Sequence, residues 1–170
     1  MNLTDRESLA AMHGMVFGAL FLLAFAGGFA GLYSLRPALL TNRGLIERSR
    51  RLVAGTWSMA IVAWLTVITG TFIVYPWYRA KGPTSAKSLI TANPLTANWH
   101  TFGMEWKEHI AWLAPILATM VAIVVAYYGP RLIKHQGLRR VLMGLFVLAF
   151  ASAAVAGLLG AFITKVSPVH

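Results

Sequence analysis

Two histidines carry the sequence's best claim to chemistry. His13 falls about one turn inside the first long apolar run, and His109 lies near the start of the apolar part of the third. A neutral imidazole nitrogen is a good ligand for haem iron, and helix bundles build such sites from side chains on facing helices. Two helices running the same way, separated by one antiparallel helix, would bring these rings to similar depth. That arrangement suits a porphyrin held between two axial imidazoles, His13 and His109. Gly14 and Gly18 beside His13 leave out bulk that would block a flat macrocycle. Arg79, Lys81, Lys87 or Lys107 could neutralise its propionates.

The same residues admit other readings. A histidine one turn from a membrane surface can simply be satisfied by water or a neighbouring backbone group. Glu105 and His109 have i, i+4 spacing, so they share a helix face, and Glu108 is adjacent. With His13 or His100 they could bind a non-haem metal, or the acids and imidazole could relay protons. The acids also suit a solvated first turn, where negative charge meets the positive end of a helix. His100 is a reserve ligand. On a continuous helix it lies about 13 Å along the axis from His109 and on another face. His135 sits in a basic loop with no histidine at matching depth, which argues against a second bis-His haem, and His170 is terminal. Met12, Met15, Met59, Met104, Trp57 and Trp64 read as packing, and Thr66, Thr69 and Thr71 as hydroxyls returned to their own helix backbone.

What must position these groups is a set of long apolar helices. The chain has 170 residues, of which 58% are hydrophobic and only 12% charged. Mean hydropathy is +0.65. A soluble domain carries roughly a quarter charged residues. The composition predicts an all-α, up-down bundle of four transmembrane helices forming a single integral membrane domain. The helices fall at about 9–35, 53–78, 99–128 and 141–165. There is no cysteine, which excludes disulfides, thiolate metal sites, c-type haem attachment and thiol catalysis. No Ser/His/Asp arrangement, phosphate loop or deep carboxylate pair supports a hydrolase or kinase.

Local signals refine this picture. Thr4 and Glu7 have capping-box spacing and should start a helix ahead of the first apolar run, which is too long for a signal peptide and reads as retained. The cluster Tyr75, Pro76, Trp77 and Tyr78 marks a headgroup level at the end of the second span. Pro115 should kink the third span, and Gly129 with Pro130 should stop it. Residues 79–98 exceed what a helix hairpin needs and should fold over the surface. Small residues at Gly14 and Gly18, Gly27 and Gly31, and Gly157 and Ala161 permit close helix contact.

Charge sets the expected orientation. The net charge is +10, and the cations sit in short loops beside apolar runs, a membrane pattern rather than a nucleic-acid surface. The first loop holds Arg36, Arg43, Arg48, Arg50 and Arg51, and the third holds Arg131, Lys134, Arg139 and Arg140. The positive-inside rule puts both in the cytoplasm and both termini on the outer, periplasmic or extracellular side. The expected location is a bacterial or archaeal cytoplasmic membrane.

With His13 on the first span and His109 on the third, the pattern resembles small four-helix, membrane-bound b-type cytochrome subunits. The resemblance covers the architecture and the histidine pair. It implies one haem b near the outer face and electron transfer between quinone or quinol and an outward-facing redox partner. It also implies a subunit of an oxidoreductase complex, with other membrane or periplasmic redox subunits as partners, rather than an enzyme acting alone. Two alternatives stay open: a cofactor-free accessory or anchor subunit of a larger membrane complex, and a small proton- or ion-translocating protein using Glu105, Glu108 and His109.

Overall fold

A computed structural model describes residues 4–37 and 41–167; His170 lies outside them. Four helices are long and apolar enough to cross a membrane: Asp5–Ser34, Asn42–Tyr78, Trp99–Lys134 and Gln136–Val166. The chain is therefore an integral membrane protein by length and composition of its helices. No strand occurs among the described residues. The spans pack in a ring, each against its neighbours in sequence and the first against the fourth.

The helices begin where side chains can satisfy free backbone N–H groups. Thr4 Oγ1 accepts from Glu7 N–H at 3.2 Å, and Glu7 returns a carboxylate to Thr4 N–H at 2.7 Å, completing the capping box. Thr41 caps the second helix by accepting from Gly44 N–H. That helix starts at Asn42, well before the expected Val53, because Thr41 supplies a start signal and Arg51 pairs with Glu47 one turn away at 2.7 Å. The fourth span likewise begins at Gln136. The arginines expected in loops thus extend the helices past the apolar region.

Pro115 acts as expected. It lacks an N–H and its ring crowds the carbonyl of Ala111, and the regular helix is interrupted at Ala111 and Trp112. Gly129 takes a positive φ of 50°, open to glycine at little cost, and starts the 3₁₀ segment Gly129–Lys134, with Pro130 in its first turn.

The main core lies toward the arginine-rich end. Leu32, Met59, Val121 and Phe146 are among its fully enclosed side chains. Glycine permits the closest approaches here. A Cβ on Gly28 would sit 2.7 Å from Phe146 Cζ, and one on Gly31 would sit 3.0 Å from Leu52 Cδ1. Gly28, Gly31 and Gly55 are the small residues at helix contacts. Gly14, Gly18, Gly27 and Gly157 face open space instead, with nothing within 4 Å of an added Cβ.

At the opposite end, residues 79–98 fold back over the bundle. They include a short helix, Ala86–Ala92, capped by Ser85. Its Ala86 and Ile90 are buried with Tyr78, Met104 and Ile163 in a second, smaller core.

Candidate functional site

Near this second core the helices lose regularity together. Met12–Val16, Gly70–Val74 and Trp99–Met104 are π-helical turns, one on each of the first three spans and all at the same end of the bundle. A π turn carries an extra residue, which widens the helix and rotates the turns beyond it; such turns are frequent at functional sites. Here the widened turns surround a cavity of about 830 Å³. That volume lies within the range of roughly 300–1,000 Å³ common for small-molecule sites. All four spans contribute to walls that are mostly apolar, including Met15, Phe21, Met104, Trp112, Phe150 and Ala153.

His13 sits inside the first π turn and lines this cavity. Its Nδ1 lies 2.8 Å from Thr69 Oγ1 on the second span. The Thr69 hydroxyl has one proton, and it donates that proton to the Leu65 carbonyl at 2.7 Å, with Thr66 O at 3.1 Å. The arrangement that satisfies all these contacts at once has Thr69 donating to a carbonyl and accepting from His13 Nδ1–H, a tautomer in which Nε2 keeps a lone pair. The next residue, Gly70, makes room for the ring: a Cβ there would stand 3.1 Å from His13 Cε1. A hydrogen bond on one ring nitrogen that orients the other is the usual support for a ligating histidine.

Gly14 and Gly18, one and five residues on, also line the cavity, and their absent side chains leave its wall open. An open wall of this kind is what a flat ligand needs. Lys107 and Glu108 reach the cavity from the third span.

His109 is placed differently from expectation. Its side chain is exposed, and Nδ1 donates to the carbonyl of Glu105, one turn back on its own helix, at 2.6 Å. Among the described residues that line the cavity, His13 is present and His109 is not. The structure does not bring the two rings to one site. The reason is its helix face: Met104, Lys107, Ala111 and Ala114 recur at helical spacing along the cavity side, whereas His109 falls on the outer side with the exposed Leu113, Ile116 and Met120.

The reserve ligand His100 is buried in the small core rather than the cavity. Its Nδ1 meets Tyr78 Oη at 3.1 Å, and its Nε2 lies 3.8 Å from Glu105 Oε1. Glu105 and Glu108 share Arg79, whose Nη2 donates to Glu105 Oε1 and to Glu108 Oε2 at 3.1 Å. Arg79 is thus engaged by protein carboxylates. Among the described residues no three His, Cys, Asp or Glu side chains gather as a metal site, so Glu105, Glu108 and His109 are not assembled around an ion.

Thr69 and Gly70 are neighbours of His13 that sequence reasoning did not place beside it. A hydroxyl followed by glycine, at a depth matching His13 on the adjacent antiparallel helix, was the available signal. No protein-family model, curated protein or solved structure matches the chain.

Proposed function

We propose that this chain is a membrane-embedded electron-carrying subunit that holds one haem b in the cavity, with His13 as its protein ligand. The observation that carries this reading is the His13–Thr69 hydrogen bond, which leaves a Nε2 lone pair on a ring that lines an apolar cavity.

The residues present fit such a group. Nε2 of a neutral imidazole is a good donor to haem iron. The cavity walls are apolar and include the thioethers Met15 and Met104. Gly14 and Gly18 are a cradle that side chains would otherwise occupy. When bound, haem supplies reversible one-electron chemistry. The protein's part is to hold and insulate it. Thr69 fixes the imidazole tautomer, Gly70 seats the ring, and the apolar walls exclude water, which sets the potential through burial and ligand identity.

On the positive-inside rule, the His13 end and both termini face outward, so electrons would pass between membrane quinone or quinol and an outward-facing redox partner. One ligand from the protein replaces the expected pair, because His109 lies off the cavity. The test is an absorption spectrum, dithionite-reduced minus oxidised, of protein purified with haem supplied. A Soret band with α and β bands is expected. A colourless protein that co-purifies with other subunits would instead mark a cofactor-free accessory role.

A further inference from the structure

Lys107 is the cavity's unexplained charge. It lies on the third span, lines the cavity, and lays its stem across the fourth span at Gly160. A Cβ on Gly160 would stand 3.1 Å from Lys107 Cε and 3.3 Å from Nζ, so glycine clears the path. The ammonium has three donors and no acceptor of its own. Its sequence neighbour Glu108 is turned to Arg79, with contacts of 3.1 and 3.3 Å, and Glu105 is taken by the same guanidinium. Among the described residues no carboxylate lies within 4 Å of Lys107 Nζ.

The two acids balance Arg79 and Lys107 in number, but not in hydrogen bonding. Arg79 takes both carboxylates, and Lys107 is left facing an apolar space. A cation at membrane depth is costly unless it meets an acceptor, and such residues mark function by default. The missing partner is then an anionic oxygen brought by the ligand.

We propose that Lys107 anchors a carboxylate of the ligand in this cavity, so that the site selects an apolar body carrying an acid. On the haem reading above, on which this inference rests for its ligand, the acid is a propionate. The selectivity follows from the walls: the remaining lining is mostly apolar, Glu108 is paired with Arg79, His13 offers a lone pair rather than a charge, and Lys107 supplies the cation that distinguishes an acid from its ester.

The test titrates haem-free protein in detergent with haemin and with haemin dimethyl ester, which keeps ring and iron but lacks free carboxylates. Binding is read from the Soret band. In parallel, tryptophan quenching compares brominated stearic acid with its methyl ester, using Trp112 in the cavity wall as a reporter. Wild type should prefer each acid over its ester at least tenfold. Lys107→Met should erase the preference by weakening only the acids, Lys107→Arg should retain it, and Lys87→Met, outside the cavity lining, should leave it unchanged. Equal binding of acid and ester by wild type in both assays overturns the inference, as does a preference that survives in Lys107→Met. Failure to take up either porphyrin, with the fatty-acid preference intact, overturns the haem reading alone.

Discussion

At the arginine-rich end the buried charge is answered by the protein itself; at the His13 end a lysine and an imidazole are left with unused hydrogen-bonding capacity. Arg139 is buried, yet its Nη1 donates to the Leu32 and Tyr33 carbonyls at 2.9 and 3.1 Å. It thereby satisfies the last turn of the first span from the fourth. Phe25 stacks on Phe146, and glycines bring backbones together. At the other end His13 keeps a free lone pair, Lys107 keeps free donors, and Gly14 and Gly18 border open space. One region uses polar groups and small residues to close the bundle. The other uses the same kinds of residue to keep it open, which is what a binding site requires.

That contrast breaks if substitutions at the two ends behave alike. The largest effect on stability is expected for Arg139→Met, which strands the buried Leu32 carbonyl and the part-buried Tyr33 carbonyl. Hydrogen bonds from charged donors are worth about 1.5–3 kcal/mol each, so a loss of roughly 3 kcal/mol is expected in unfolding by denaturant or heat. Ligand binding should change little. Gly28→Ala should cost about 1–3 kcal/mol by overpacking against Phe146, whereas Gly18→Ala should leave stability unchanged and weaken ligand uptake. Equal stability losses in both would contradict the division.

Thr69→Val removes the acceptor for His13 Nδ1 and frees the ring to flip its tautomer. Losing such an outer partner costs roughly 10–100-fold in metal-site affinity, so haem titration should show a drop of that order with the fold intact. A small effect is expected for Arg79→Gln. Its bridges to Glu105 and Glu108 are partly exposed and screened, so the stability read from thermal unfolding should fall by no more than about 1 kcal/mol.

Much of the fold was legible because bilayer thickness imposes it. Long apolar runs, four times repeated, leave few choices, and Thr4, Pro115 and Gly129 marked their turns by local chemistry. Helix starts at Asn42 and Gln136 were hidden because arginines read as loop while helical geometry tolerates them well. The candidate site was half legible. His13 and its flanking glycines could be read from one helix alone. His109 was placed by depth alone; the small residues Ala111, Ala114 and Ala118 mark the inner face of its span at helical spacing, and His109 falls on the other face with Leu113, Ile116 and Met120. Thr69 was read as bonding its own backbone, which it does; its acceptor side toward His13 exists only across two helices.

The most direct measurement is the reduced-minus-oxidised spectrum of three proteins purified side by side with haem supplied: wild type, His13→Ala and His109→Ala. Matching Soret bands are predicted in wild type and His109→Ala, and none in His13→Ala. A band that survives in His13→Ala, or disappears in His109→Ala, would contradict a haem held by His13 alone.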